Sequence, residues 1–383
     1  MSFALAIYSN KARRQTKCGK GDDMTVKEIL KDLVEINTIK DKCNKEIMDY
    51  IENFVTPLGF EVDRRMNPDT GKEVLVATFG DNPTLGFLGH TDTVDITEGW
   101  TYDPLTVTEE DGKLYGLGTC DMKGGIAAAL YAASIAPLDE IKAAGKGIRM
   151  YWTYDEEILF GGIYDLVKSG EQFSEHVLVC EPTDNMPEIG SKGILEFLFT
   201  FNGVTTHSSR PIEGKSSNKN AVKFLYKMME IEDKLRENHH PLFSVPRSTM
   251  NIGIVEGGTA INKVPAKTTI YLDFRICDSA PEYPMIRQMT DEALKEFDAS
   301  YEIINDVPSF VNTGDRIAWY EEICGKKAET GNGITEASFF TGSDRVILGP
   351  GPMVAHQFNE HVTVESLNKS VEIYLAAIKK ECL

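Results

Sequence analysis

Residues 84–92 read TLGFLGHTD. A short run with no charged residue, Thr84 to Gly89, leads straight into His90 and Asp92. Such a run, bounded by polar groups, is the pattern of a buried strand whose end delivers reactive side chains. Three more runs have the same form. GIRMYWTYDEE, residues 147–157, ends in Glu156 and Glu157. HVLVCEPT, residues 176–183, ends in Glu181. RVILGPG, residues 345–351, is followed after a short loop by His356. In open α/β sheets ligands bind beyond the carboxyl ends of the strands, so four strand ends carrying His or carboxylate predict one convergent site.

The segments between these strands support an α/β reading. Val26 to Phe54 carries apolar residues at helical spacing: Ile29, Leu30, Leu33, Ile36, then Ile47, Ile51 and Phe54. EVLVATFG (73–80) reads as a further strand, MKGGIAAALYAASIA (122–136) as a small-residue helix packed closely on a neighbour, and GGIYDLVKSG (161–170) as another helix. Past Lys192 the rhythm changes. ILEFLFTFNGVT, NKNAVKFLYKMMEIEDKLREN, STMNIGIVEGG, KTTIYLDFRIC, MIRQMTDEALKEF and SYEIINDV follow in the order β-α-β-β-α-β, which is that of a ferredoxin-like sandwich. The expected organisation is a discontinuous α/β domain, a mixed sheet with helices on both faces, over 24–193 and 309–383. An α+β domain is inserted at 194–308. Residues 1–23 are read as an extension: their apolar piece precedes their basic piece, the reverse of a secretory signal.

Composition narrows the function. The 383 residues are long enough for two domains. Forty Lys and Arg against 59 Asp and Glu give a net charge of −19, which argues against a nucleic-acid partner and against an anionic membrane surface. The seven cysteines form no C-x-x-C pair, so a reducing cytoplasm is expected rather than a disulfide scaffold.

The residue types at the strand ends suit metal chemistry. Imidazole and carboxylate donors without thiolate describe a hydrolytic rather than a structural site. His90, Asp121, Glu157, Glu181 and His356 are enough for two divalent cations if one carboxylate bridges. Asp121, at a loop-to-helix junction between the others in sequence, is the natural bridge. Two ions about 3.5–4 Å apart would share a hydroxide and polarise a carbonyl. Asp92, two residues from His90 on extended backbone, would accept the free ring N–H and fix its tautomer. Glu156 and Glu157, neighbours on extended backbone, must point apart, so one can bind metal while the other serves as general base. Taken singly these signals are weak. His-x-Asp and Glu-Glu pairs are usually surface polarity, and Asp121 alone would be a helix N-cap; together at four strand ends they are not. His176, His239, His240 and His361 read as ordinary surface or loop residues. Cys120 and Cys180 read as small buried hydrophobes, which sets aside a cysteine hydrolase built on Cys120.

GHTDTVD, GLGTCDMKGG, TYDEE, CEPT and AHQFNEHV, in that order, resemble the M20 family of co-catalytic metallopeptidases and deacylases. The resemblance covers nearly the whole chain after residue 24. It implies a zinc-exopeptidase-like catalytic domain and an inserted lid through which two copies dimerise, with the strand around Ile194–Thr205 pairing edge to edge with its twofold mate. It implies that His90 and Glu181 bind one ion, Glu157 and His356 the second, and that Asp121 bridges them through a residue followed by a cis peptide. Asp92 would orient His90 and Glu156 would be the base. Zinc is the expected metal, with cobalt or manganese as alternatives. The segment FNGVTTHSSRP implies that His207 donates to the oxyanion, and INKVP and LDFRICD imply that Asn262 and Arg275 meet a substrate carboxylate.

The implied substrates are small N-acyl amino acids or short peptides. WTYDPLTVTEEDGKLYGLGTCDMKGG, TMNIGIVEGGTAINKV, GITEASFF and ILGPGPMVAHQFNE resemble the branch that deacetylates N2-acetyl-L-ornithine, with Glu336 meeting the substrate amino group. Asn359-Glu360 is more similar to the branch that removes succinyl from diaminopimelate, and dipeptidases and aminoacylases share the metal set. A metal-binding scaffold without activity finds no support, because no donor is missing.

Overall fold

The computed structural model describes residues 24–383 apart from 41 and 332. The reading of residues 1–23 therefore lies outside the described residues. Two compact units are present. One runs up to Asn185 and takes in Gly342–Asp344 and Leu348–Leu383; the other comprises Met186–Thr341 with Arg345–Ile347.

The first unit is built on a mixed sheet. Its main strands stand in the order Glu61–Met66, Glu73–Phe79, Gly147–Thr153, Pro83–His90 and His176–Val179. The first two pairings are antiparallel and the last two parallel. Parallel strands are covered on both faces and so read as continuous apolar runs. Leu85, Phe87, Leu88, Met150, Trp152, Val177 and Leu178 are all fully buried, and each such side chain contributes roughly 1.5–3 kcal/mol of burial. The register sets His90 opposite Thr153 and Leu88 opposite Val179. Three strands therefore end within two residues of one another, and the segments that leave them emerge at one edge.

The helices explain themselves locally. Val26–Glu35 begins with a capping box: Thr25 accepts the Glu28 N–H while the Glu28 carboxylate accepts the Thr25 N–H at 2.7 Å. The helical pattern read from Val26 to Phe54 is two helices. The first stops at Ile36, which is extended, and the second occupies Lys45–Val55. Asn44 sits before it because its side-chain amide brackets the Glu73 backbone, donating to the carbonyl at 2.7 Å and accepting the N–H at 2.9 Å. The small-residue helix, Lys123–Ser134, is buried on almost every face. A Cβ at Gly125 would lie 2.1 Å from the Cys180 carbonyl oxygen, so only glycine lets this helix approach the end of the strand that leads to Glu181. A small three-stranded sheet, His361–Thr363, Lys113–Tyr115 and Thr108–Glu110, joins the loop after His356 to the loop before Asp121.

The second unit contains Gly193–Asn202, Ser217–Glu237, Thr249–Gly257, Lys267–Ile276, Ser279–Leu294 and Ala299–Val307 in the expected β-α-β-β-α-β order. The sheet order is Thr249–Gly257, Lys267–Ile276, Gly193–Asn202, Ala299–Val307, as in a ferredoxin-like fold. Phe197, Phe199 and Phe201 face one side at a period of two and are buried against Phe224 and Phe274. The expected edge-to-edge pairing through the strand around Ile194–Thr205 is corrected by this order. That strand is central, bonded on one side to Lys267–Ile276 and on the other to Ala299–Val307. Both of its backbone edges are spent. The sheet edges are Thr249–Gly257 and Ala299–Val307.

Among the described residues no helix is long and apolar enough to cross a membrane. The six cysteines among the described residues are free thiols: Cys43, Cys120, Cys180, Cys277, Cys324 and Cys382.

Candidate metal centre and active site

Each strand end of the first unit delivers its group by a different local device. His90 is the last residue of its strand and fully buried. Its Nδ1–H donates to the backbone carbonyl of Asp92 at 3.1 Å, with the Asp92 carboxylate farther off at 3.5 Å. The expected orienting contact is thus carried by the main chain of Asp92 more than by its side chain. Either way Nδ1 is occupied, and Nε2 is left to face the site. The Asp92 carboxylate does something the sequence did not suggest: it accepts the backbone N–H groups of Glu156 and Glu157, each at 3.3 Å.

Those two glutamates are not extended, as the sequence reading had them. Asp155 takes left-handed dihedrals, φ 55°, and turns the chain into a short helix, Glu156–Leu159. Successive residues there differ by about 100° around the axis, so the two side chains still diverge. Glu157 meets His356, whose Nε2 lies 2.9 Å from Oε2 and 3.0 Å from Oε1. His356 itself has φ 62°, a region that a bulky residue seldom enters outside a constrained site.

Asp121 joins the two histidines. Its Oδ1 is 3.1 Å from Nε2 of His90 and its Oδ2 is 3.5 Å from Nε2 of His356. The Asp121–Met122 peptide is cis. Glu181 lies on the His90 side, 3.8 Å from Nε2. One atom from each of His90, Asp121 and Glu157 lies within 4.8 Å of the others. The five expected donors thus form two overlapping sets: His90, Glu181 and one oxygen of Asp121, then His356, Glu157 and the other oxygen.

The electrostatics fit a cation site. Asp92, Asp121, Glu156, Glu157 and Glu181 bring five carboxyl groups to two imidazoles. Burial opposes a charge on His90, yet hydrogen bonds to Asp121 and Asp92 outweigh it and hold the ring well above its ordinary value. His356 is pushed up to about 10, first by its bond to Asp121 and then by that to Glu157. Burial would raise Asp121, but its bonds to His356 and His90 bring it well below the usual carboxylate range. Burial drives Glu156 well above that range, and Glu181, Asp121 and Glu157 add to the effect. A cluster that forces its own histidines to protonate lacks positive charge, and divalent cations on imidazole and carboxylate donors would supply it.

Three further residues shape the site. Glu360 is buried, and its carboxylate accepts the backbone N–H groups of Gly118, Cys120 and Asp121 at 2.9, 2.8 and 3.0 Å. Its carbonyl also accepts the Gly116 N–H at 3.0 Å. The loop carrying Asp121 is therefore hung on one side chain. Lys72, a buried lysine, donates both to the Asp155 carboxylate and to the Lys40 carbonyl, which ties down the turn that presents Glu156. Lys123 is buried just after Asp121 and donates to the Ile36 carbonyl at 2.9 Å. Sequence offered one faint signal for Glu360, its place four residues after His356, and none for Lys72.

Cys120 points away from the donors. Its Sγ–H donates to the Pro352 carbonyl at 3.1 Å, and burial pushes the thiol far up, so it is no nucleophile. His176, read as a surface residue, is instead fully buried in its strand, with Nδ1 3.0 Å from the Asp344 carbonyl oxygen.

The remaining expected residues belong to the second unit. His207 is an exposed histidine with Nδ1 2.8 Å from the Ser209 hydroxyl. Ser208 donates its N–H to the Asn262 carbonyl at 2.9 Å, so the chain brings His207 and Asn262 together. Arg275 pairs with Asp273 at 3.0 Å. Glu336 is fully buried in a single helical turn, Glu336–Ser338, and presents no surface to a substrate.

Known proteins resemble this chain over most of its length. The model of peptidase family M20/M25/M40 matches residues 86–380. An acetylornithine deacetylase of Vibrio campbellii is 31% identical over 356 residues, covering 89% of this chain and 93% of that protein. Two solved structures share the fold. A tripeptidase of Staphylococcus aureus superposes with a TM-score of 0.74 at 22% identity, over 93% of this chain and 98% of its own. A dinuclear metal-binding M20 peptidase of Bacillus subtilis does so with 0.66 at 16%, over 94% and 98%.

Proposed function

The chain belongs to peptidase family M20/M25/M40 and is a hydrolase of amide bonds; from that premise we propose that it removes the acyl group from N-acyl amino acids, with N2-acetyl-L-ornithine preferred. One observation carries the chemistry: a single carboxylate, Asp121, faces two histidines, with a half-buried glutamate, Glu156, whose carboxyl is pushed up, close by. The relative at 31% identity named acetylornithine deacetylase supports the choice of substrate.

In this reading His90 and Glu181 hold one divalent cation, Glu157 and His356 the other, and Asp121 both, with zinc preferred to cobalt or manganese. Such a pair supplies polarisation of the scissile carbonyl and acidification of a water. The protein supplies the rest. Glu156, with a carboxyl raised by burial, takes a proton from the attacking water and returns it to the leaving nitrogen. Asp92 fixes the His90 tautomer through its carbonyl and holds the Glu156–Glu157 turn through its carboxylate. His207 donates to the carbonyl oxygen as charge develops there. Arg275, with its planar fork, and Asn262 receive the substrate carboxylate.

The reading includes a cytoplasmic location, supported by the free thiols, and a homodimer. The dimer edge is the strand Thr249–Gly257, where Ile252, Ile254 and Val255 are exposed on backbone paired on one side only. The test is a panel of N2-acetylornithine, N-succinyl-diaminopimelate, N-acetylmethionine and di- and tripeptides, assayed with and without chelator. Ornithine release that chelation abolishes and zinc restores is the expected result. Hydrolysis of peptides alone would replace the deacetylase reading with a peptidase one. Inertness towards every substrate after metal loading would end the catalytic reading.

A further inference from the structure

Beside the metal donors the first unit has a cavity of about 280 Å³, lined by Lys40, Val94, Asp95, Thr97, Glu157 and His356. Two of these residues are proposed metal ligands. The other four have no part in the hydrolysis itself, and two of them carry opposite charges. Lys40 Nζ lies 2.5 Å from Asp95 Oδ2.

The pair is built into the backbone. Ile39 and Thr93 form a parallel bridge. Lys40 donates its N–H to the Thr93 carbonyl at 3.0 Å, and Thr93 donates its own to the Thr38 carbonyl at 3.1 Å. The Lys40 carbonyl in turn accepts from Lys72, which also holds Asp155 before Glu156. Asp95 follows His90 by five residues on the same segment. The acid is therefore fixed relative to both the metal donors and the base.

The two charges are not equally available. The Asp95 side chain is 63% exposed and that of Lys40 38%. A carboxylate has about four acceptor positions, and among the described residues Lys40 is the one group bonded to that of Asp95. An exposed pair of this kind is weakly held, so an incoming cation can join or displace the lysine at little cost. An incoming anion would have to pass the more exposed acid, on a chain of net charge −19.

We propose that Asp95 is the residue that receives a cationic side chain of the substrate, with Lys40 as its partner when no substrate is present. The substrate class is then N-acyl derivatives of basic amino acids, ornithine and lysine, rather than of neutral or acidic ones. This rests on the reading of the site as an N-acyl amino acid hydrolase. It also provides the carboxylate for an ammonium group that buried Glu336 cannot offer.

The experiment compares N2-acetylornithine with N-acetylnorleucine, which matches it in length without the charge. In Asp95→Asn the ratio of kcat/KM for the cationic over the neutral substrate should fall tenfold or more, with the loss in KM. Asp95→Glu should recover part of it, and Lys40→Met should hold or raise the ratio. A second readout needs no turnover: calorimetric Kd values for ornithine and norleucine should differ in the wild type and converge in Asp95→Asn. Equal losses on both substrates, or an unchanged ratio, overturn the proposal. So does hydrolysis of N-acetylglutamate that Lys40→Met abolishes, which would make the lysine the reader. Should no acyl amino acid be hydrolysed by the wild type, the functional reading fails while the calorimetry still decides the subsite.

Discussion

The Glu360 carboxylate accepts the backbone N–H of Asp121 at 3.0 Å, so the residue facing both histidines is held in place by a side chain that touches neither. The same carboxylate takes the N–H groups of Gly118 and Cys120. In Glu360→Gln one acceptor oxygen becomes an NH2 group aimed at a backbone donor. The expected cost is about 1–3 kcal/mol for buried groups left unsatisfied, together with weaker metal binding. Thermal unfolding and metal titration should both move. An unchanged metal Kd would show that the loop holds Asp121 without Glu360.

Glu156→Gln should remove the proton carrier and keep the cations. Turnover should fall by about 10²–10⁴, while metal content by elemental analysis stays at the wild-type level. Retained turnover would end the assignment of Glu156 as the base.

Lys72→Met should act at a distance. It releases the Asp155 carboxylate and so the turn presenting Glu156. A misplaced base predicts a loss in kcat of about 10–100-fold, with KM little changed and partial recovery in Lys72→Arg. A melting temperature that falls while kcat holds would make Lys72 a structural lysine only.

Metal binding should release protons. His356 is pushed up to about 10, so in the metal-free protein it is protonated at pH 8, whereas a bound cation requires the neutral ring. Apparent affinity should therefore rise with pH and level off only near 10, and His90, also held high, should steepen the slope. Calorimetry at pH 8 in buffers of different protonation enthalpy counts the protons. At least one per protein is expected; none would mean that His356 is not a ligand.

Ile254→Lys, on the exposed edge strand Thr249–Gly257, should convert the proposed dimer to monomers, because a lysine on a strand edge blocks pairing. Light scattering reads the outcome. A dimer that survives would move the interface to the other edge, Ala299–Val307.

The sequence was legible where the local pattern decides the structure. The buried parallel strands were visible as apolar runs that lead to His90, Glu157 and Glu181, and the parallel strand register brings those ends together. The ferredoxin-like order was visible from alternating periodicities. Sheet order was not: nothing in ILEFLFTFNGVT distinguishes a central strand from an edge strand, since both bury one face. The turn at Asp155 was missed because two glutamates after a strand read as its continuation, and only a left-handed residue reveals the break. Glu360 and Lys72 act through backbone groups far away in the chain, and such contacts leave no spacing to read.

The close approach at Gly125 has a consequence for tolerance to change. The helix that starts beside Asp121 rests on the Cys180 carbonyl through a hydrogen atom, where even a methyl group would land 2.1 Å from oxygen. The gap between Asp121 and Glu181 is thus calibrated by a missing side chain, and alanine at this position would act as a wedge. The first property to suffer would be the spacing of the two carboxylates, and an enzyme can lose that while every secondary-structure element survives.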